Sequence, residues 1–136
     1  MTPQDTDANW IPFPDGRYRV IQAYLSTMTN SQAVAVEHTV VEAYTDPRGQ
    51  RRIKGNGSLV NHLLVALLEE GDDVNLWLDL GGEFKFHLQK PDIKAGKLFA
   101  PHVQSSFQFY PRQPWEQITA ATFEAVVADF KLLTRR

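Results

Sequence analysis

The chain has 136 residues, no cysteine and a formal net charge of −2. That length suits one domain with a real hydrophobic core, and a hydrophobic share of 43% excludes a disordered chain. The lack of cysteine excludes disulfides and zinc–thiolate sites, and the charge balance argues against a purely electrostatic nucleic-acid binder. Because neither a secretory leader nor a membrane-spanning apolar run occurs, we expect a cytoplasmic protein without membrane contact.

Residues 1–16 predict an extended N-terminal arm, followed by a single domain over residues 17–136. Of the three prolines in the arm, Pro12 and Pro14 prevent regular strand pairing around them. The arm also holds two aromatic residues, Trp10 and Phe13, whose side chains we expect to be buried against other parts of the protein. We expect them either to pack on the domain or to dock on a neighbouring subunit.

The first half of the domain begins with three predicted strands. Residues 17–28 and 33–44 both have strand patterns, and polar turn residues between them predict a long hairpin. An Asp-Pro-Arg-Gly turn then leads into a basic strand over residues 48–56, because aspartate and proline preset this kind of turn. This third strand is expected to return alongside the hairpin.

A helix is predicted over Leu59–Glu70, directly after a Gly-Asn-Gly-Ser corner. Ser58 can cap its N-terminus, and Gly71 can take the left-handed conformation that ends it. The helix is apolar on most sides, so it needs cover from the sheet and the second half of the chain or from another subunit. The apolar helix and the aromatic residues of the arm together predict a homo-oligomer, in which a second subunit would bury them.

Two alternating strands around Gly81 and Gly82 allow a register prediction. A two-residue loop would place Leu78 opposite Lys85, which sets an apolar residue against a charged one. A three-residue loop over Gly81–Glu83 places Leu78 opposite Phe86 instead, so we predict this loop. On the other face, the same register pairs Asp79 with Lys85 and Trp77 with His87.

The remaining residues predict a loop over 90–97, a strand over 98–110 and a second helix. Thr119 is the predicted N-cap of that helix, and its apolar stripe runs from Phe123 to Leu133. The predicted order is therefore βββα-βββα. This order indicates an α+β fold, in which one antiparallel sheet has two helices packed on one face.

Catalytic and cofactor motifs are missing from the sequence. The serines lack a nucleophile elbow, and no histidine pair has the spacing of a metal box. A metal site assembled through space stays open, while His38 is expected in the core or in an interface. We therefore predict a non-enzymatic binding protein without a cofactor. The histidines are His38, His62, His87 and His102.

Two features favour binding of single-stranded DNA or RNA. Cations on the basic hairpin can neutralise phosphates. Trp77, flanked by cations on an open sheet face, offers a platform on which bases can stack, unless the arm or a second subunit buries it. The predicted nucleic-acid-binding residues are Arg48, Arg51, Arg52, Lys54, Trp77, Lys85 and His87.

The order of turns, strands and glycine-containing corners in the chain resembles that of a known family. A turn over residues 46–49, a basic strand and a Lys-Gly-Asn-Gly-Ser-Leu corner are similar to the layout of positive cofactor four of transcription. The Whirly and Pur-type proteins share that plan, and Ile118-Thr119 leading into a helix through Phe123 is also similar. The resemblance covers residues 42–70 and 118–130. It implies oligomers that bind single-stranded nucleic acid on curved antiparallel sheets through basic and aromatic side chains.

The main alternative is a protein–protein interaction module, such as an adaptor, an immunity-type inhibitor or a phage-borne component. In that case the arm and an acidic block would form the contact surface. A third class is a small enzyme or a ligand-binding pocket between sheet and helices. Nucleic-acid binding must weaken steeply with salt, whereas an apolar protein interface should barely respond. The acidic block consists of Glu69, Glu70, Asp72, Asp73 and Asp79.

Overall fold

A computed structural model of the chain describes residues 10–27, 32–60, 74–95 and 104–132. Within these ranges most residues lie in β-strands, and one helix, α1, spans Ala120–Ala128. No helix described there is long or apolar enough to span a membrane. The strands are β1 (Gly16–Arg19), β2 (Gln22–Thr27), β3 (Gln32–Ala35), β4 (Glu37–Thr45), β5 (Arg51–Val60), β6 (Val74–Asp79), β7 (Lys85–Gln89), β8 (Asp92–Ala95), β9 (Gln104–Tyr110), β10 (Glu116–Ile118) and β11 (Lys131–Leu132).

These strands form two sheets whose inward faces share one hydrophobic core. The five-stranded sheet has the order β1-β4-β5-β9-β8, and the six-stranded sheet has the order β10-β7-β6-β2-β3-β11. The predicted α+β fold, with one sheet and two helices in βββα-βββα order, is therefore wrong. The described part of the chain is mostly β, with two sheets and one short helix in place of the predicted single sheet with two helices.

The predicted helix start is wrong because β5 continues straight through the Gly-Asn-Gly-Ser corner. Gly55 and Gly57 face the core, where neighbours leave no room for a side chain. A Cβ atom on Gly55 would overlap the ring of Phe109, and one on Gly57 would lie 2.5 Å from Cγ1 of Val36. The glycines thus permit close packing and do not mark a turn. Residues 61–70 and Gly71 of the predicted helix lie outside the described ranges.

The Ser58 side chain accordingly caps no helix. Its hydroxyl donates to the backbone oxygen of Glu37 on the neighbouring strand, at 3.3 Å. The loop predicted over residues 90–97 is also partly wrong, since β8 lies within it and pairs with β9.

The long hairpin predicted for the first half is divided between the two sheets. β1 pairs with β4 in one sheet, while β2 pairs with β3 in the other. A bulge at the start of β4 shifts the alternation there, and His38 takes a φ of 52°. His38 is consequently exposed, which corrects its predicted place in a core. The third strand is confirmed, because β5 pairs antiparallel with β4.

The predicted three-residue loop between β6 and β7 is confirmed. Leu78 lies opposite Phe86, and the backbone nitrogen of Phe84 donates to the oxygen of Gly81 at 2.9 Å. Gly81 and Gly82 have φ values of 104° and 52°, which glycine adopts readily. The pairs of Asp79 with Lys85 and Trp77 with His87 are also as predicted.

The arm residues described by the structure pack on their own domain. Ile11 and Phe13 are buried in the core, and the Phe13 ring lies 4.9 Å from that of Tyr18. Trp10 packs on Trp115, with 5.5 Å between the ring centroids. Trp10 and Phe13 therefore pack on their own domain, which is the first of the two arrangements predicted for the arm aromatics.

Helix α1 packs on the outward face of the six-stranded sheet. It begins after Thr119, whose hydroxyl accepts from the backbone nitrogen of Thr122, so the predicted N-cap is confirmed. The helix leads from β10 at one edge to β11 at the other, where β11 pairs parallel with β3. Phe123 and Phe130 lie over Tyr24, with centroid distances of 6.5 and 5.6 Å. This face is therefore partly covered by the chain itself.

Candidate nucleic-acid interface

The seven predicted site residues do not form one surface. Arg51, Arg52 and Lys54 lie on β5, in the five-stranded sheet, and Arg48 lies in the turn before it. The other three lie on β6 and β7 in the six-stranded sheet. Because the sheets pack face to face, their outward faces point in opposite directions. One nucleic-acid strand cannot lie flat across both sets.

The Trp77 ring is already stacked against a neighbour within the protein. His87 lies parallel to it, with 4.1 Å between centroids and an interplanar angle of 10°. The indole nitrogen donates to the hydroxyl of Ser26 at 2.8 Å, and the Phe130 ring approaches at 6.3 Å. His87 is held in turn by the carboxylate of Glu116, 3.0 Å from its Nδ1. These contacts leave little of the platform for a base.

Lys85 stabilises the β6–β7 hairpin to which it belongs. Its ammonium group lies 3.3 Å from the carboxylate of Asp79 and donates to the backbone oxygen of Gly82 at 2.6 Å. The Lys85 and Asp79 side chains are only 12% and 9% exposed. A phosphate would have to displace this shielded ion pair, so Lys85 is a structural residue.

Arg51 ties the arm to the sheet. Its guanidinium donates to the backbone oxygens of Ile11 and Phe13 and lies 3.4 Å from the carboxylate of Asp15. All three guanidinium nitrogens are thereby engaged. Arg51 consequently helps to hold Ile11 and Phe13 in the core, and its side chain is oriented toward the arm.

The turn before β5 is organised by Asp46. Its carboxylate accepts from the backbone nitrogens of Arg48 and Gln50, both at 2.9 Å, and from Nε of Arg52 at 3.1 Å. The hydrogen bond from the Gln50 backbone, together with Arg52, holds the pKa of Asp46 below its usual value. The carboxylate is therefore ionised at neutral pH and fixes the direction of the Arg52 side chain, while Arg48 is exposed.

Among the described residues, helix α1 packs on the outward face of the six-stranded sheet and not on that of the five-stranded sheet. Arg17, Arg19 and Lys94 on this face are exposed, and no described helix packs over it. Among the described residues of this face, cations outnumber carboxylates, which makes this part of the face locally basic on an acidic chain. The cations are Arg17, Arg19, Arg52, Lys54 and Lys94, and the carboxylates are Glu37, Glu42 and Asp92.

Two tyrosines alternate with these cations. The Lys54 ammonium lies 5.1 Å from the centroid of the Tyr44 ring, and the Lys94 ammonium lies 5.2 Å from that of Tyr110. Both rings are partly exposed. Reasoning from the sequence missed Arg17, Arg19, Lys94 and both tyrosines. Alternation within each strand assigns each residue to one face of that strand, but only the strand order shows that these strands belong to one sheet.

The described residues hold no cluster of three histidine, aspartate or glutamate side chains that could bind a metal ion. His62 and His102 lie outside the described ranges. No family model, curated protein or solved structure matches this chain.

Proposed function

We propose that the protein is a non-enzymatic binding protein that binds single-stranded DNA or RNA on the outward face of its five-stranded sheet. The observation that supports this most is the alternation of tyrosine rings with cations on a sheet face over which no described helix packs. Cations neutralise the phosphates of a strand, and exposed rings accept bases by stacking. A single strand suits this face, since its bases are free to turn toward the rings.

The proposal keeps two of the predicted residues, Arg52 and Lys54, in a direct role. Arg51 supports the site by holding the arm in place. The alternative, a protein-interaction module, relied on the arm and the acidic block. The arm aromatics are engaged in the core, and Asp79 is paired with Lys85. The rest of the acidic block lies outside the described ranges, so the sheet face is the better supported surface.

Titration with labelled single-stranded DNA and RNA at several salt concentrations tests the proposal. Lys54→Ala and Arg19→Ala should each flatten the slope of log affinity against log salt by about one unit. Tyr110→Ala should cost roughly 1–3 kcal/mol of binding free energy with little change in slope, because stacking releases few counterions.

Two controls lie on the six-stranded sheet. Lys131→Ala removes an exposed cation from β11 and should leave the slope unchanged. Trp77→Phe should leave the affinity unchanged, because Trp77 is stacked on His87. The proposal fails if the wild-type protein does not bind at low salt. It also fails if Lys131→Ala weakens binding as much as Lys54→Ala does.

A further inference from the structure

A pocket of about 260 Å³ opens where the five-stranded sheet is incomplete. The pairing of β9 with β5 ends at Gly55 and Phe109, so the first four residues of β5 have no described strand on that side. The chain turns away after Tyr110, and the space is closed by the arm and the segment that follows β9. The pocket lining includes Trp10, Ile11, Tyr44, Arg52, Tyr110 and Arg112.

Two arginines supply open donors to this pocket. Arg52 donates through Nε to Asp46 and through Nη2 to Gln50, at 3.1 and 3.0 Å. Arg112 donates through Nε and Nη2 to one carboxylate oxygen of Asp92, at 2.9 and 2.6 Å. Among the described residues, nothing bonds to Nη1 of either arginine. Each guanidinium is thus held by its acid partner and still has donors for an anion, which reduces the entropy lost on binding.

The pocket also offers aromatic surface. Tyr44 and Tyr110 lie at the end of the open sheet face, and Trp10 of the arm lines the same space. Flat rings beside guanidinium groups match a ligand that joins a planar base to a phosphate. A terminal phosphate has more free oxygen atoms than a phosphate within a strand, so it can accept from both arginines.

We propose that this pocket binds a nucleoside monophosphate group, with the phosphate at Arg52 and Arg112 and the base against the rings. The group can belong to a free nucleotide or to the end of a single strand. The second source rests on the proposed function, because the strand would then run along the sheet face and end in the pocket. Trp10 and Ile11 of the arm line the pocket and would block the strand from continuing beyond it.

Calorimetry with adenosine monophosphate, adenosine and inorganic phosphate tests the pocket without any strand. The monophosphate should bind more tightly than either fragment, since each fragment offers only half of the contacts. Arg112→Ala should weaken monophosphate binding about tenfold, the usual effect of losing a hydrogen bond to a charged group. Arg112→Lys should recover only part of this loss, because lysine lacks the forked donors. Lys131→Ala is the control and should bind normally.

Oligonucleotides carrying a 5′-phosphate, a 3′-phosphate or neither distinguish the two sources. If the pocket holds a strand end, one phosphorylated form should bind about tenfold tighter than the unphosphorylated form, and Arg112→Ala should abolish that preference. If the monophosphate binds but no oligonucleotide does, the proposed function fails and the pocket remains a nucleotide site. If all oligonucleotides bind equally and the monophosphate does not bind, the pocket inference is overturned while the proposed function stands. If nothing binds, both are overturned.

Discussion

At the scale of single residues, Gly55 explains why a corner is predicted in the middle of β5. A Gly-Asn-Gly-Ser sequence between a basic strand and an apolar run is typical of a corner. In the structure, the Phe109 ring lies across Gly55 on the adjacent strand, and Phe109 is fully buried. The glycine is required by this ring and not by a turn.

Gly55→Ala should therefore destabilise the protein by about 1–3 kcal/mol, the usual range for overpacking a core. The Phe109 ring must move, and its surroundings are close-packed. Urea unfolding followed by circular dichroism measures the change. Asn56→Ala, at the exposed neighbouring position, is the control and should change stability by less than about 0.5 kcal/mol. Equal stability of Gly55→Ala and the wild type would contradict this account.

At the scale of elements, the hairpin of β6 and β7 shows how loop length and buried face fix a register together. Leu76, Leu78, Phe86 and Leu88 are all at most 2% exposed and face the core from paired positions. Shortening the loop by one residue would bring polar side chains to this face. The loop length is thus part of the core packing.

Deleting Gly82 should cost more than about 4 kcal/mol, among the largest effects of a single-site change, because it misplaces these side chains. Thermal unfolding is the measurement. Gly82→Asn keeps the loop length, and asparagine tolerates a positive φ, so this variant should melt close to the wild type. A deletion variant with an unchanged melting temperature would refute the register argument.

At the scale of the whole molecule, the arm is part of the domain core. Phe13 is 6% exposed, and its ring centroid lies 5.7 Å from that of Phe86 in the six-stranded sheet. Arg51, in the other sheet, donates a hydrogen bond to the arm backbone. The arm residues from position 10 onward therefore help to close the space between the sheets. The homo-oligomer stays a prediction, now without support from these aromatics.

Phe13→Ala should destabilise the protein by about 3–5 kcal/mol, as expected for truncating a buried phenylalanine. Phe84→Ala is the matched control, because Phe84 is 39% exposed and should cost clearly less. Sedimentation velocity should give the same subunit number for the Phe13 variant and the wild type. A lower association state in Phe13→Ala would show that the arm crosses between subunits after all.

The sequence by itself determined the local features. Alternation and loop chemistry were sufficient for the β6–β7 register, the turn at Asp46 and the Thr119 cap, since each depends on neighbours close along the chain. The Asp-Pro turn also predicted the basic strand that follows it, and alternation placed Trp77 opposite His87.

Only the tertiary structure decided the number of sheets and the location of the candidate site. The glycines of β5 read as a corner because Phe109, far along the chain, is invisible to local patterns. Trp77 is predicted on an open sheet face because the segment that packs against it, around Phe130, comes much later in the sequence. The basic face joins residues from strands that only the sheet order makes adjacent, so contacts distant in sequence decided both the fold and the site.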